Sequence, residues 1–167
     1  IIRQLDEGNK MRAKHFINGQ WQRSASDSTF TSINPATEQV IAHLPAANGD
    51  DINAAVLAAR NAFDQGPWPK LSGDERGAYL QKMADIIHRR LTELTELEVL
   101  DNGKPYPEAK WDIEDTAGTF EFYANLAREL DTNSEQNIEL SEAGFSSRAI
   151  KEPVGVAGAI IPWNFPM

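Results

Sequence analysis

The apolar residues in the middle of the chain recur at the spacing of amphipathic helices. The stretch 49–63 predicts a first helix, whose start could be capped by Asp50 or Asp51. Ser72 and Glu75 form a capping-box pattern that predicts the start of a second helix. The apolar stripes consist of Ile52, Ala55, Val56, Ala59 and Phe63 in the first helix and of Tyr79, Leu80, Met83, Ile86 and Ile87 in the second.

Two further helices are predicted by the same periodicity. Thr92 is the expected start of the third, and Asn102-Gly103 followed by Pro105 is the expected stop. The pattern then predicts a long fourth helix from about Pro107 to Leu130. The residues expected to face inward are Leu94, Leu97 and Leu100 in the third helix and Ala109, Ile113, Ala117, Phe120, Ala124 and Ala127 in the fourth.

Both ends of the chain have extended patterns. Asn18-Gly19 favours the type I′ turn of a hairpin, and a turn at 34–37 separates two more extended segments within 30–45. Residues 145–153 alternate like a strand. The continuous apolar run 154–161 is typical of a strand that is buried on both faces of a parallel sheet. The sequence therefore predicts a β-rich start, a helical middle and then the first strand of an α/β sheet.

The composition is that of a globular protein without cysteine. Hydrophobic residues make up 41% and charged residues 25% of the 167 positions. A net charge of -9 disfavours nucleic acid as a partner, because phosphates would be repelled. No apolar stretch approaches the roughly 18 residues of a membrane helix, so no membrane partner is expected. The lack of cysteine excludes a disulfide framework and a thiol nucleophile within this sequence, and a cytoplasmic location fits it best.

Asn164 is the polar residue with the clearest chemical interpretation. It follows the predicted buried strand, between Pro162-Trp163 and Phe165-Pro166. Ligands bind at the carboxyl ends of strands in open α/β sheets, and an amide can donate to an oxyanion without adding charge. An Asx-type turn held by aromatic packing is the alternative, and the local pattern leaves both interpretations open.

Asp101 is a second candidate, because it stands at a helix C-terminus, where the helix dipole disfavours a carboxylate. It is either a cap or turn residue or a ligand that binds a cation together with freed backbone carbonyls. The three histidines lack metal-ligand spacing, and the segment VGVAGA lacks a phosphate-loop motif.

Six segments of the chain resemble, in order, the N-terminal third of the NAD(P)-dependent aldehyde dehydrogenases. They are FINGQW, INPATEQVIA, AARNAFDQGPW, ELEVLDNGKP, FEFYANLA and KEPVGVAGAIIPWNFPM. The resemblance covers residues 15–167 and is carried most specifically by LDNGKP together with PWNFP. It implies an α/β fold made of β-hairpin arms, a helical layer and the first strand of a modified Rossmann sheet.

The resemblance also implies roles for single residues. Asn164 matches the amide that donates to the hemithioacetal oxyanion, and Phe165 matches a position that lines the aldehyde tunnel. Asp101 and the main-chain carbonyl of Ile33 match a site for a monovalent cation, potassium or sodium. The residues that match the border of the NAD or NADP cofactor are Ile160, Ile161, Pro162, Trp163 and Asn164.

In this family a cysteine thiolate attacks the aldehyde, hydride passes to the nicotinamide, and water activated by a glutamate releases the acid. This chain has no cysteine. We therefore expect a truncated chain, inactive alone, with the catalytic domain beyond Met167. A non-catalytic structural module is the alternative.

The substrate implied by the resemblance is a betaine or amino aldehyde. The segments 72–90, 108–115 and 126–131 resemble that branch of the family. The branch often has Tyr at the position of Phe165, where an aromatic cage holds a cationic head group. General aliphatic aldehydes are the alternative substrates.

The sequence divides into three parts. Residues 1–14 are an N-terminal extension and a candidate for disorder, 15–45 a β-rich arm, and 46–167 an incomplete NAD-binding domain. Phe16, Ile17 and Trp21 lie on a short hairpin that cannot bury them alone, so we expect the arms to pack beyond their own domain. The resemblance implies a homodimer or homotetramer.

Overall fold

The helices and strands of the protein follow the order of its sequence patterns. The computed structural model describes residues 4–5, 11–12, 14–141 and 144–167. Their strands are β1 (Gln4–Leu5), β2 (Met11–Arg12), β3 (His15–Ile17), β4 (Gln20–Gln22), β5 (Thr29–Ile33), β6 (Val40–Pro45), β7 (Glu135–Ile138) and β8 (Ser147–Ile150). Their α-helices are α1 (Gly49–Gln65), α2 (Gly73–Arg89), α3 (Leu91–Asn102) and α4 (Tyr106–Asn133), with a 3₁₀ turn at Trp68–Lys70.

The strands form one four-stranded sheet and two separate hairpins. The sheet has the order β1-β2-β6-β5, in which β2 runs parallel and β5 antiparallel to β6. The hairpin β3-β4 turns at Asn18-Gly19, where both residues have positive φ as a type I′ turn requires. The predicted turn at 34–37 is also confirmed, because the Asn34 side chain accepts the N–H of Ala36 at 2.8 Å.

Two of the strands fall within the N-terminal extension, for which the sequence indicates no element. β1 and β2 pair with each other, and β2 pairs with β6. These strands are two residues long and owe their order to the free edge of β6 rather than to an apolar pattern of their own. Residues 1–3, 6–10 and 13 lie outside the described part of the chain.

The core lies between α2 and α4, which approach each other through small residues. The predicted stripe of α4 is confirmed, and Ala109, Ile113, Ala117 and Ala124 are fully buried. A Cβ added at Gly77 of α2 would lie 2.6 Å from the carbonyl oxygen of Ala124. The two helices can therefore pack this closely because glycine and alanine line the contact.

The start of α1 is capped by Asn48, so the prediction of Asp50 or Asp51 is wrong. The Asn48 side chain accepts the N–H groups of Asp50 at 2.9 Å and Asp51 at 3.0 Å. Asp51 is instead the third residue of the helix, and its carboxylate accepts a hydrogen bond from the N–H of Asn48 at 3.0 Å. Asp51 also accepts hydrogen bonds from the Ser24 hydroxyl at 2.6 Å and the N–H of Ala25 at 2.9 Å. This buried carboxylate thereby ties the loop after β4 to the first turn of α1.

The third helix differs from its predicted pattern in both its start and its buried face. It begins at Leu91 and has no side-chain cap, and Leu100 is exposed rather than inward. Its buried residues are Thr95 and Glu98. These polar side chains are tolerated inside because Thr95 donates to the carbonyl of Leu91 at 2.7 Å and Glu98 pairs with Lys104. The predicted stop is confirmed, since Gly103 has the left-handed conformation.

The tail also departs from its predicted pattern. β8 confirms the strand within 145–153, but residues 154–161 of the described tail form no strand. Val154 is 100% and Ile160 99% exposed, so the predicted burial on two faces is wrong for this chain. A strand requires a neighbouring strand for its backbone hydrogen bonds, and none of the described strands lies beside this segment.

Candidate functional site

The turn at 162–166 is held by the last residue of α3 and by the loop that joins α3 to α4. The Asn102 side-chain amide donates to the main-chain carbonyl of Trp163 at 2.7 Å. The Lys104 ammonium lies 4.2 Å from the ring centroid of Phe165. The two residues on either side of Asn164 are therefore each contacted by a different side chain at the junction of α3 and α4, and Asn164 itself is exposed in the turn.

Lys104 belongs to a charged cluster that links α3 to α4. Its ammonium pairs with the Asp112 carboxylate and lies 3.3 Å from Oε1 of Glu98. The side chains of Glu98 and Lys104 are 1% and 15% exposed. The cluster is thus shielded from water, so its geometry is more restrained than that of a surface ion pair.

The cluster shifts the pKa of two of its members upward. Burial raises the pKa of Glu98, the nearby Asp112 carboxyl raises it further, and Lys104 acts in the opposite direction. Burial is the largest influence on Lys104 and lowers its pKa, but Asp112 and Glu98 together outweigh it and leave the pKa raised. Lys104 is therefore a cation at neutral pH and is suited to hold an aromatic ring.

A cavity of about 250 Å³ lies next to the same turn. Two sheet strands, one face of α3 and the end of the chain enclose it. Its lining is mostly apolar and consists of Ser32, Ile41, Ala42, Leu44, Leu94, Leu97, Glu98, Asp101, Pro166 and Met167. Two of the three α3 leucines that were predicted to face inward, Leu94 and Leu97, therefore line this cavity together with the carboxylates of Glu98 and Asp101.

Asp101, one of the two predicted cation ligands, contacts the strand that carries the other. The Asp101 carboxylate accepts a hydrogen bond from the Ser32 hydroxyl. Ser32 precedes Ile33 in β5, so the end of α3 meets the strand that carries the predicted carbonyl ligand. No group of three or more His, Cys, Asp or Glu side chains suited to a metal ion occurs among the described residues.

The predicted cofactor residues form an exposed surface. Ile160 is 99%, Ile161 61% and Trp163 87% exposed. A dinucleotide site buries most of its ligand between facing walls. They present exposed apolar side chains beside the turn that Asn102 and Lys104 contact. Within the described residues no facing wall is present.

The sequence interpretation did not foresee the residues that support the turn. The sequence pattern predicts only a helix stop at Asn102, and it assigns no role to Lys104 or Glu98 beyond their place in the matched segment ELEVLDNGKP. The sequence signal that was available is a glutamate, Glu98, at a position of α3 that the helical periodicity turns towards the core. A buried carboxylate requires a partner such as a cation.

Among the described residues, no helix is long and apolar enough to span a membrane.

The comparisons with known proteins agree on one family. A family model described as the aldehyde dehydrogenase family matches residues 21–167. An aminoaldehyde dehydrogenase of Arabidopsis thaliana, described as chloroplastic, is 43% identical over 155 residues, which are 91% of this chain and 31% of the relative. A peroxisomal aminoaldehyde dehydrogenase of Malus domestica gives the same identity and coverage. The chain thus spans about a third of the length of these curated relatives.

Solved structures give the same picture. An NAD-dependent aldehyde dehydrogenase from Sinorhizobium meliloti matches with a TM-score of 0.85 and 36% identity, over 99% of this chain and 33% of that one. A betaine aldehyde dehydrogenase variant from Staphylococcus aureus, in complex with NAD+, matches with a TM-score of 0.84 and 34% identity. That match covers 91% of this chain and 30% of the other.

Proposed function

This chain belongs to the aldehyde dehydrogenase family, and we propose that it supplies the oxyanion-binding turn and one wall of the cofactor site of an enzyme that oxidises aldehydes to carboxylic acids. The observation that carries this proposal is the docked turn, in which Asn164 lies between two fixed neighbours. An amide held in this way can donate to an oxygen that gains charge, without first reorganising.

The proposed reaction assigns this chain a role in the first step. A cysteine thiolate from residues outside this sequence adds to the carbonyl carbon, and the carbonyl oxygen becomes an oxyanion beside Asn164. NAD, when bound, accepts the hydride that leaves this carbon, and a thioester remains. Water then cleaves the thioester and restores the thiol, so that aldehyde, NAD+ and water give acid, NADH and a proton.

NAD is the cofactor that the relatives favour. The Sinorhizobium structure is described as NAD-dependent, and the Staphylococcus one is in complex with NAD+. In this chain Ile160, Ile161, Pro162 and Trp163 would border the dinucleotide. Whether NADP can replace NAD is tested by comparing kcat/KM for the two cofactors in the intact enzyme.

The proposed substrate is an amino aldehyde or betaine aldehyde. The support comes from the curated relatives that are described as aminoaldehyde dehydrogenases and share 43% of the aligned residues. Phe165 contacts Lys104 but is 53% exposed, so the exposed part of its ring can still present π surface to a cationic head group, as the Tyr of that branch does. A cytoplasmic location stays a prediction, because these two relatives are chloroplastic and peroxisomal.

The test is a set of NADH-formation assays on the intact enzyme. An ω-aminoaldehyde, betaine aldehyde and an uncharged aldehyde of equal chain length are compared at equal concentration. A kcat/KM at least about tenfold higher for the cationic aldehydes supports the proposed class, and the reverse order identifies an aliphatic aldehyde dehydrogenase. Absence of NADH with every aldehyde would favour the structural module instead.

A cation at Asp101 and the Ile33 carbonyl is proposed as part of the same unit. The support is the hydrogen bond between Ser32 and Asp101, which brings the end of α3 to β5. An ion at this point would join the sheet to the helix. We expect potassium to raise the thermal stability of the intact enzyme and to have no such effect on Asp101→Ala.

Assembly into a dimer or tetramer is proposed from the β3-β4 hairpin. Phe16 and Trp21 face each other across it, with ring centroids 4.8 Å apart, and are 59% and 41% exposed. Two half-exposed aromatic rings in tilted contact on a hairpin are suited to packing against another subunit. Light scattering that shows a monomer of the intact enzyme at micromolar concentration would exclude this assembly.

A further inference from the structure

We propose that Asn102 and Lys104 are positioning residues that hold Asn164 in place for oxyanion binding. The inference rests on the proposed role of Asn164. It assigns to the loop between α3 and α4 a function in the reaction rather than a connection between two helices alone.

The contact of Asn102 acts on the peptide unit that enters Asn164. Its side-chain amide donates to the carbonyl of Trp163 at 2.7 Å. That carbonyl lies in the same rigid plane as the N–H of Asn164. Fixing the oxygen therefore fixes the direction in which the backbone enters Asn164, and with it the start of the Asn164 side chain.

The contact of Lys104 acts on the residue after Asn164. Its ammonium lies 4.2 Å from the centre of the Phe165 ring and is held from behind by Asp112 and Glu98. The ring is therefore held against a cation that is anchored in both α3 and α4. Because the Lys104 side chain is 15% exposed, water competes weakly for this contact.

Gly103 lies between Asn102 and Lys104 and fixes the backbone from which both side chains extend. This residue has φ of +82°, a conformation that glycine adopts readily. A Cβ at this position would also lie 2.6 Å from Cγ of Pro35, in the turn between β5 and β6. Gly103 thus packs closely against the turn between β5 and β6. Asn102 and Lys104, on either side of the glycine, both reach the tail.

Loss of either contact should affect the rate more than cofactor affinity. A displacement of about 1 Å at a reacting centre can cost on the order of a hundredfold in rate. We expect Asn102→Ala and Lys104→Met each to lower kcat of the intact enzyme by about tenfold or more, with KM for NAD within about twofold of wild type. Lys104→Arg keeps a cation above the ring and should recover most of the rate.

The design needs a control and a variant that spares the buried cluster. Lys110→Met is the matched control, because Lys110 is another α4-side lysine whose ion pair, with Glu114 at 2.6 Å, lies on an exposed surface. Lys104→Met leaves Glu98 without its cation, so this variant could be unstable. Phe165→Leu removes the ring, leaves the cluster intact and replaces Lys104→Met if that variant does not fold. Because Phe165 is also proposed to line the aldehyde tunnel, its kcat is measured at saturating aldehyde, so that weaker substrate binding appears in KM instead.

The decisive measurement repeats each substitution in the Asn164→Ala background. If Asn102 and Lys104 act through Asn164, their loss there should lower kcat no further than Asn164→Ala alone. Full additive losses in that background would overturn the inference, because the loop would then act by another route. Normal turnover of Asn102→Ala and Phe165→Leu beside a damaged Asn164→Ala would overturn it too, while leaving the role of Asn164 intact. Normal turnover of Asn164→Ala itself would overturn both.

Discussion

At the scale of single residues, a polar group is useful for catalysis only when its surroundings fix it. Asn164 is exposed, and the prolines two residues away on either side restrict the backbone of the turn around it. The contacts of Trp163 and Phe165 with one loop supply the remaining restraint. The proposed oxyanion donor is therefore held in place through Trp163 and Phe165 rather than through packing of its own side chain.

The oxyanion role predicts the effect of Asn164→Asp in the intact enzyme. This change keeps the size and the turn-forming ability of the side chain but replaces a donor with a negative charge. Removal of one oxyanion donor typically costs about 2.7–4 kcal/mol, or about 10² to 10³ in kcat. We expect Asn164→Asp to be at least as damaging as Asn164→Ala, with NAD affinity retained. A folded Asn164→Asp enzyme with nearly normal turnover would show that Asn164 only shapes the turn.

Asp51 predicts a dependence of stability on pH. The Ser24 hydroxyl, then the N–H groups of Ala25 and Asn48, hold the pKa of Asp51 below its ordinary value of 3.8. Since the folded-state pKa is the lower one, the stabilisation is complete above pH 3.8 and is lost as the pH falls through the folded-state value. We expect Asp51→Asn to have a lower Tm than wild type at pH 7. In acid the difference in Tm between the two proteins should become smaller. Asp50→Asn, an exposed neighbour in the same turn, is the control and should follow wild type at both pH values.

At the scale of elements, the structure depends on how closely α2 and α4 approach. Gly73 and Gly77 face Ala127 and Ala124, and a Cβ at Gly73 would lie 2.3 Å from the Ala127 carbonyl oxygen. Asp131 of α4 also accepts the N–H of Gly73 and pairs with Arg76 at 3.1 Å. The end of α4 thus caps the start of α2, so the two helices are joined by both packing and hydrogen bonds.

Two glycines of this helix pair predict opposite effects of the same substitution. Gly77→Ala places a Cβ 2.6 Å from a backbone oxygen, so the helices must move apart. We expect it to lower the free energy of unfolding by about 1–3 kcal/mol. Gly118→Ala in α4 meets no atom within 4 Å and should raise it by about 0.5–1 kcal/mol through helix propensity. Denaturant unfolding measures both, and a stabilised Gly77→Ala would contradict the close contact.

The elements also show what the sequence could and could not predict. The α4 stripe and the Ser72 capping box are confirmed, because periodicity and local hydrogen bonds determine them. β7 was missed because its four residues, all exposed, show no alternation and are ordered by pairing with β8. The burial of Glu98 was not predicted, because a buried carboxylate is stable only with a partner, and Lys104 pairs with it only in the folded chain. In the candidate site, Asn164 was proposed from its motif. The contact of Asn102 with Trp163 that supports it joins residues 61 positions apart in the sequence, which a local pattern does not reveal.

At the scale of the whole molecule, extensive apolar surface is left uncovered by the described residues. On α1, Ile52 and Val56 of the predicted apolar stripe are each more than half exposed, and so is Leu57 outside it. In the tail, Val154 and Ile160 are almost fully exposed. Apolar faces of this size require a partner surface, and relatives about three times as long as the aligned segment have residues to provide one.

The exposed tail predicts that this chain by itself binds NAD weakly. The residues expected at the cofactor border are up to 99% exposed and have no facing wall among the described residues. Binding would therefore bury little of the dinucleotide and would have to order the tail. We expect a Kd above about 1 mM for NAD in calorimetry with the chain alone. The control is a chimera in which the remaining two thirds of an aminoaldehyde dehydrogenase relative follow this chain, for which we expect a Kd well below that limit. Sub-millimolar affinity of the chain alone would contradict the prediction, because it would require a complete pocket within the residues of this sequence.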